Sequence, residues 1–319
     1  MYLIIIDGGG TKTDLVLLTE DGAACCRLIG NASCPTSIGL DKSFSVIVGL
    51  IEQLIEKSGI SRKDVIGLYA GIAGCGVSSV GNALAEGLRI AFPEILHIGC
   101  GIDVINALNC GLYNDDGMAL VCGTGSALLV RSNNKLHQVG GWGYLLGDEG
   151  SGYDFGRMGL TAALKAFDGR GEKTVLSQML NDTLGLPVQD AISQIYEGGK
   201  QRIASLAPVV LKAAVLGDMV AVSILEQATE KLCHMLITGS RHLETKKYRT
   251  VLIGGLWNAE QGLLKRIMEE KLPDNHILIQ SEVPPIYGAA IQAFTTFGFT
   301  LPHDFTERFT ASLDSLPKG

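Results

Sequence analysis

The 319-residue chain lacks any block of basic residues, and its 26 lysines and arginines are outnumbered by 33 aspartates and glutamates, for a formal net charge of −7. A mildly acidic chain without a basic cluster is a poor partner for a phosphate backbone, so nucleic acid is not expected as a ligand. Apolar residues make up 46% of the chain and charged residues 18%, which is typical of a globular protein with a large core and argues against disorder. At about 150 residues per domain, the length predicts two domains.

The eight cysteines include no CxxC pair and no zinc-type spacing, so we predict reduced thiols in a cytoplasmic protein. No secretory leader is expected, because Asp7 interrupts the first apolar run. The stretch 65–85 carries no charge for the length of a membrane span. It contains five glycines, and we interpret it as a buried strand followed by a glycine loop. The sequence therefore predicts no association with a membrane.

Proline is scarce, with nine residues, whereas glycine is abundant, with 41. The glycine content is nearly twice the usual share of roughly 7%, and the absence of a G-X-Y period excludes collagen. The glycines stand in short runs between apolar segments, which indicates tight backbone turns.

Strands and helices alternate along the chain, which predicts an α/β fold. The chain opens with an apolar strand, a glycine-rich turn and a returning strand, and this pattern recurs after the turn cluster 114–117. These segments are 2–6, 7–13 and 15–19 in the first half, and 118–122, 123–126 and 127–130 in the second. Helices are predicted at 41–57, 78–91, 153–167, 218–243, 259–270 and 287–297, and further strands at 64–70, 94–99 and 250–253. The duplication predicts two similarly built domains, 1–117 and 118–319, with the last helix as a candidate to pack back on the first.

The first glycine turn, residues 7–13, has the composition of a phosphate-binding loop. Three consecutive glycines leave no Cβ to block a ligand, while Thr11, Thr13 and Lys12 add hydroxyl donors and a positive charge. Asp7 is a hard oxygen ligand that suits Mg²⁺. The turn matches neither a P-loop nor GxGxxG, because a strand follows it. An ordinary glycine hairpin is the alternative interpretation.

The second turn, Gly123 to Ser126, repeats this logic, although alone it fits any tight hairpin. The glycine-rich segment 140–152 surrounds Trp142 and the adjacent acids Asp148 and Glu149. Apolar walls with a few fixed polar groups predict a ligand pocket, in which a carboxylate can accept hydrogen bonds from sugar hydroxyls. The alternative is that Asp148 or Glu149 caps the following helix.

Two further positions each have a functional and a structural interpretation. Asp103 follows an apolar strand and opens a predicted helix, so it is either the helix N-cap or a general base that takes a proton from a substrate hydroxyl. Gly254 and Gly255 follow the strand 250–253, and they form either a surface for a flat ligand or a turn that leads into a helix.

Four motifs together resemble the N-acetylglucosamine kinase family: DGGGTKTD at the start, GTGS after a strand, then GGWGYLLGDEGSGYDFGR and IGGLWN. That family belongs to the sugar kinase/Hsp70/actin superfamily, in a set that also holds activator-type ATPases. The resemblance implies two ribonuclease-H-like (actin-like ATPase) domains around a central cleft. It also implies ATP and Mg²⁺ as cofactors, a small amino sugar as the substrate, and a homodimer as a common assembly.

The resemblance also implies roles for individual residues, with Asp103 as the catalytic base on the sugar 6-hydroxyl and Asp7 serving Mg²⁺. The ATP-binding residues would be Gly8, Gly9, Gly10, Thr11, Lys12, Thr13, Gly123, Thr124, Gly125 and Ser126 for the phosphates, and Gly254, Gly255 and Asn258 for the adenosine. The sugar would contact Asp103, Thr124, Gly125, Gly141, Trp142, Asp148, Ser33, Cys34 and Cys75. Cys34 stands where the family often has an asparagine, and Cys75 replaces a small hydroxyl residue. The run 165–173 resembles members that also accept N-acetylmuramic acid, so the exact sugar stays open.

Two alternatives from other classes accompany the kinase hypothesis. An activator-type ATPase would share an iron–sulfur cluster between two subunits, and the segment around Trp142 argues against it. A non-catalytic sugar sensor would be expected to have lost Asp7 or Asp103, and both are present. The cysteine cluster that binds zinc in repressor-type sugar kinases is absent.

Overall fold

The computed structural model describes residues 1–76, 78–133 and 135–316. Its strands are β1 (Tyr2–Gly8), β2 (Lys12–Thr19), β3 (Ala24–Asn31), β4 (Val65–Ile72), β5 (His97–Gly101), β6 (Gly117–Cys122), β7 (Ser126–Ser132), β8 (Lys135–Val139), β9 (Tyr248–Ile253) and β10 (His276–Gln280). Its α-helices are α1 (Pro35–Ile38), α2 (Leu40–Ser58), α3 (Ser78–Ala91), α4 (Asp103–Leu112), α5 (Gly152–Phe167), α6 (Leu176–Leu184), α7 (Ile192–Ala204), α8 (Ala207–Val215), α9 (Met219–Ser240), α10 (Leu263–Lys271), α11 (Pro285–Phe297) and α12 (Phe305–Ser315).

Two compact units divide the chain: unit 1 comprises Met1–Asn114 and the segment that begins at Ser281, and unit 2 comprises Asp115–Gln280. The ranges expected from the sequence, 1–117 and 118–319, differ from this division chiefly because the last two helices pack on the first sheet. Phe294 of α11 and Phe309 of α12 share a buried cluster with the β1 side chains on one face of that sheet.

Unit 1 is built on a five-stranded sheet in the order β3-β2-β1-β4-β5. The strands β1, β2 and β3 are antiparallel neighbours, whereas β4 and β5 continue the sheet in parallel with β1. Successive side chains of a strand point to opposite faces. Accordingly Ile4 and Ile6 pack towards α2 and α3, while Leu3 and Ile5 pack towards α11 and α12. A strand buried on both faces explains the uninterrupted apolar run at the start of the chain.

Unit 2 repeats this topology in a second five-stranded sheet, in the order β10-β9-β6-β7-β8. Its first strand, β6, has an antiparallel hairpin on one side and the parallel strands β9 and β10 on the other. The predicted duplication of a strand, a glycine turn and a returning strand is therefore confirmed. Five helices, α5 to α9, stand between β8 and β9 and share the apolar core of the unit.

Local details differ from the sequence expectations at some positions. The helix expected over 259–270 begins only at Leu263, where α10 starts, because Glu260 and Gln261 have positive φ and interrupt the preceding 3-10 segment, Gly255–Gly262. The uncharged stretch 65–85 contains β4 and the first part of α3, as predicted. Among the described residues, no single helix has the length and apolarity to span a membrane. The pair α8 and α9 reaches both together, but it is bent by 116°.

Candidate functional site

The first glycine turn connects β1 to β2 through Gly9, Gly10 and Thr11, and the Gly9 N–H donates to the Lys12 carbonyl at 2.9 Å. Gly8 is needed for packing, because a Cβ there would lie 2.3 Å from Ser33 Oγ. Added Cβ atoms at Gly9 and Gly10 would meet nothing closer than 3.6 Å and 3.8 Å, respectively. The tip of the turn is therefore open to a ligand.

The polar side chains of this turn separate into two groups. Thr11 and Lys12 are exposed at the turn, where a ligand could reach them. Thr13 and Ser33 are fully buried and hydrogen-bonded to each other at 2.8 Å, and Thr13 Oγ1 also donates to the Asn31 carbonyl at 2.6 Å. The latter two hydroxyls brace the hairpin, and their predicted contacts with phosphate and sugar stay predictions.

Asp7 lies at the end of β1 and is held by Asn106, a buried residue of α4 that sequence reasoning missed. Asn106 Nδ2 donates to Asp7 Oδ1 at 2.7 Å and to the Gly71 carbonyl at 3.3 Å. Its own Oδ1 is buried without a recorded hydrogen-bond partner. The sequence offered one indication of Asn106: it lies three residues after Asp103, and residues three apart share one side of a helix. The structure thus gathers Asp7 and Asn106 into one polar cluster.

Asp103 is the first residue of α4, and Ile102 is the helix N-cap, so the interpretation of Asp103 as the N-cap is wrong. Burial raises the pKa of Asp103 to about 6, although backbone hydrogen bonds at Val104 and at Asp103 itself oppose the shift. Burial likewise raises the pKa of Asp7 to about 6, with the hydrogen bond from Asn106 opposing it and the negative charges of Asp103 and Asp14 adding to it. Two carboxylates that titrate near neutrality are suited to proton transfer and to charge neutralisation by a cation.

The donor set around Asp7 fits Mg²⁺ but not a metal held by protein alone. Within the described residues, no group of three or more His, Cys, Asp or Glu side chains could hold a metal ion. Mg²⁺ is usually bound through one or two carboxylates together with substrate phosphates and water. A desolvated carboxylate at Asp7 beside the unpaired amide oxygen of Asn106 matches that pattern.

Cys34, Cys75 and Cys100 lie in adjoining segments of unit 1. Cys34 and Cys75 are buried, and a Cβ on Gly74 would lie 3.3 Å from the Cys34 sulfur, so the two predicted sugar positions belong to adjoining loops. A hydrogen bond between Cys75 and Cys100 lowers the pKa of the Cys75 thiol and, together with burial, raises that of Cys100 far above its usual range. The sulfur atoms of Cys34 and Cys75 are buried against other residues of unit 1. Direct contacts of Cys34 and Cys75 with the sugar stay predictions.

The second glycine turn joins β6 to β7 and is braced by the start of α5. The Gly152 N–H donates to the Gly123 carbonyl at 2.7 Å, and the Tyr153 N–H donates to the Thr124 carbonyl at 3.2 Å. Ser126 is buried and its Oγ donates to the Glu149 carbonyl at 2.7 Å. A Cβ on Gly123 would meet nothing within 4 Å, so this turn also presents an open backbone surface.

Gly254 and Gly255 adjoin the second turn, and their predicted contact with the adenosine stays a prediction. Gly254 has φ 112°, and a Cβ there would lie 2.3 Å from the Cys122 carbonyl, so only glycine fits. A cavity of about 520 Å³ opens beside them, within the usual range for small-molecule sites. Its lining residues are Gly123, Thr124, Gly152, Gln201, Ala204, Ser205, Pro208, Gly255, Leu256 and Ala259. Asn258 does not line this cavity; its Oδ1 accepts a hydrogen bond from Gln280.

The segment 140–152 follows β8 and brings Asp148 to the second turn. Gly141 packs so closely that a Cβ would lie 2.5 Å from that of Ala127, while Trp142 next to it is 65% exposed. Asp148 is buried and has φ 56°, which is uncommon for a residue with a side chain. The cap of α5 is Ser151, whose side chain accepts the Asp154 N–H, so the helix-cap interpretation of Asp148 and Glu149 is wrong.

Lys200 is a second residue that sequence reasoning missed. Its Nζ donates to Asp148 Oδ2 at 2.8 Å and lies 5.6 Å from the centroid of the Tyr144 ring. It belongs to α7, a helix that the sequence analysis did not predict, and a separation of 52 residues left no local pattern to reveal the pair.

Comparison with known proteins places the chain in a family. The model of the BadF/BadG/BcrA/BcrD ATPase family matches residues 6–293, and the protein belongs to this family.

Individual relatives give a more specific comparison than the family model. The chain is 33% identical to an N-acetylmuramic acid/N-acetylglucosamine kinase of Clostridium acetobutylicum, over 81% of this chain and 86% of the relative. It is 30% identical to an N-acetyl-D-glucosamine kinase of Dictyostelium discoideum, over 91% of this chain and 97% of the relative. The resemblance to N-acetylglucosamine kinases is therefore confirmed.

Solved structures support the fold. A candidate N-acetylglucosamine kinase from Chromobacterium violaceum superposes with a TM-score of 0.71 at 25% identity, covering 90% of this chain and 97% of that one. A ROK family glucokinase from Streptomyces griseus gives a TM-score of 0.57 at 16% identity, covering 92% and 100%. The predicted α/β class and actin-like ATPase fold are confirmed.

Proposed function

We propose that this protein is an ATP-dependent kinase that transfers a phosphoryl group to the 6-hydroxyl of an N-acetylated amino sugar. N-acetylglucosamine is the expected acceptor and N-acetylmuramic acid a second one, which fits a role in amino-sugar or cell-wall salvage. The observation that carries the proposal is Asp103, a partly exposed carboxylate at the start of α4 whose pKa is raised to about 6 by burial. A base with that pKa is ionised at neutral pH and still accepts a proton readily.

In the proposed reaction, Asp103 accepts the proton of the sugar hydroxyl as the sugar oxygen forms its new bond to the γ-phosphorus. The bond from that phosphorus to the bridging oxygen breaks, and ADP leaves. Phosphoryl transfer depends mainly on alignment and charge neutralisation, so the remaining work of the protein is to position the reactants.

The nucleotide is assigned to the two open glycine turns and the cavity beside Gly255. In this proposal, the backbone at Gly9, Gly10 and Gly123 contacts the phosphates, and the cavity receives the adenosine. Asp7, oriented by Asn106, holds Mg²⁺, which when bound neutralises charge on the phosphate oxygens. The open Cα positions of these three glycines support the assignment.

In this proposal, Asp103 acts on the sugar hydroxyl, and Asp148 and Trp142 bind the sugar ring. The Asp148 carboxylate accepts hydrogen bonds, so it suits the hydroxyl groups of a sugar ring. Trp142 presents an exposed aromatic face, which suits the apolar face of a sugar or the methyl of an N-acetyl group.

A coupled assay of ADP release tests the proposal with glucose, glucosamine, N-acetylglucosamine, N-acetylmannosamine and N-acetylmuramic acid, each with Mg²⁺ and ATP. We expect the N-acetylated sugars to stimulate turnover most. The 6-deoxy analogue of N-acetylglucosamine is the matched control, and it should inhibit competitively without turnover. If no sugar stimulates ADP release, the proposal is wrong. Sugar-independent hydrolysis together with iron in anaerobically purified protein would instead indicate an activator-type ATPase.

A further inference from the structure

Lys200 stands at a break in α7. Gly199, directly before it, has φ 55° and ψ −148° inside a helix that otherwise runs from Ile192 to Ala204. That backbone conformation is essentially restricted to glycine and occurs where the surrounding structure requires it. The break redirects the chain, and the next residue places its ammonium group on Asp148.

The ion pair formed by Lys200 and Asp148 packs directly against the second glycine turn. A Cβ on Gly125 would lie 2.8 Å from Asp148 Oδ2 and 3.1 Å from Lys200 Nζ. Glycine at position 125 therefore makes room for the pair. The Tyr144 ring, whose centroid lies 5.6 Å from Nζ, adds a cation–π contact.

Lys231 and Asp154 form a second ion pair in the same unit, and its carboxylate is held by more donors. Lys231 donates to Asp154 at 3.0 Å, and the same carboxylate accepts from Arg157 and from the Gly150 N–H. Among the described residues, only Lys200 donates a hydrogen bond to the Asp148 carboxylate. A carboxylate has about four acceptor sites, so Asp148 keeps more capacity for ligand donors than Asp154, which already accepts three hydrogen bonds.

Stabilisation of the fold does not explain the buried ion pair between Asp148 and Lys200. Buried ion pairs contribute little net stability, because desolvation offsets their attraction. The residue also has positive φ, which is costly away from glycine and concentrates at functional sites. A strained, buried carboxylate held by one ammonium group is what a preorganised acceptor of ligand hydroxyls requires.

We propose that Lys200 is a positioning residue of the sugar site: it fixes the Asp148 carboxylate against Gly125 so that its remaining acceptor sites receive hydroxyl groups of the sugar ring. This inference rests on the proposed function. It assigns Lys200 to sugar binding through Asp148, with no direct part in phosphate binding.

Steady-state kinetics of Lys200→Met test the proposal. Loss of the ion pair should raise the sugar KM about tenfold. A larger effect is not expected, because the Lys200 side chain is 32% exposed and water weakens the attraction between the two charges. The ATP KM and kcat should change less than about twofold. Lys200→Arg should recover most of the sugar affinity, because it restores a cationic donor. Lys200→Gln serves the same comparison if the methionine variant does not fold.

Lys231→Met is the matched control, because its side chain is 38% exposed and its partner Asp154 is nearly as buried as Asp148. A similar loss of stability with an unchanged sugar KM is expected. An equal rise of the sugar KM in Lys231→Met would show that any loss of an ion pair in unit 2 has this effect, and would overturn the proposal. So would a rise in the ATP KM of Lys200→Met without a rise in the sugar KM.

A double-mutant cycle with Asp148→Asn gives the decisive comparison. If Lys200 acts through Asp148, adding Lys200→Met to Asp148→Asn should change the sugar KM less than about twofold. A full tenfold effect in that background contradicts the proposal, as does an Asp148→Asn variant with a normal sugar KM. Wild-type protein without sugar-dependent turnover would overturn the proposed function itself, whereas normal wild-type turnover with a normal Lys200→Met variant would overturn only this inference.

Discussion

The two carboxylates proposed to act in unit 1 are held differently from two buried carboxylates of unit 2. In unit 1, Asp7 and Asp103 are desolvated, and the pKa of each is raised to about 6. In unit 2, burial raises the pKa of Asp154, but hydrogen bonds from Gly150, Arg157 and Lys231 outweigh it and keep the pKa below its usual value. Asp148 is likewise paired, with Lys200. The difference fits the proposed roles of Asp103 in proton transfer and of Asp7 in cation binding, and it predicts that Asp154 stays ionised over the pH range in which Asp7 and Asp103 titrate.

The largest effect expected from this contrast is on the chemical step. Asp103→Asn removes the proposed base while keeping the shape of the side chain, so kcat should fall about 10²–10⁴-fold with sugar binding largely kept. Single-turnover kinetics with N-acetylglucosamine measure it. A near-normal rate would remove Asp103 from its role, and would leave unit 1 without a proton acceptor in this account.

The pH dependence of kcat/KM should show the same group. Asp103 must be ionised to accept a proton, so activity should be retained above pH 6 and fall about tenfold per unit below a pKa of about 6. A profile measured in saturating Mg²⁺ tests this. A fall that begins only near the ordinary pKa of aspartate would contradict the raised value.

Stability should change in opposite directions when a carboxylate is neutralised in each unit. A carboxyl with a raised folded pKa binds its proton more tightly in the folded state, so its stabilisation is complete below the unfolded pKa and is lost as pH rises through about 6. At neutral pH, Asp103→Asn should therefore stabilise the protein by about 1–3 kcal/mol. Asp154→Asn should destabilise it by about 1–3 kcal/mol, because three donors lose their ionic acceptor.

Urea unfolding at neutral pH and at about pH 5 measures both changes. The gain of Asp103→Asn over wild type should shrink at the lower pH, where the wild-type carboxyl takes up its proton. Destabilisation by both variants at neutral pH would contradict the difference between Asp103 and Asp154.

The smallest effect is expected at Asn106, which orients Asp7. Asn106→Ala should raise the Mg²⁺ concentration for half-maximal activity several-fold, since loss of an outer partner typically weakens metal binding by about 10-fold or more at dedicated sites. Asn109→Ala is the matched control, because Asn109 is also buried in α4 but donates to Gly288 and Gln292. Equal Mg²⁺ requirements in the two variants would argue against a special role of Asn106.

Local pattern accounts for what the sequence could predict. The apolar runs of β1 and β6 and the glycine turns after them were recognisable because each needs only neighbouring residues. The strand β8 was missed, since it is largely exposed and lacks a continuous apolar run. The partners Asn106 and Lys200 depend on contacts across 99 and 52 residues, which no local period encodes.

The most direct test of the kinase account is the identity of the phosphorylated product. Phosphorus NMR of a reaction with ATP, Mg²⁺ and N-acetylglucosamine should show a phosphomonoester coupled to the two protons on C6, formed in step with ADP. Release of inorganic phosphate at the same rate with and without the sugar would contradict the account.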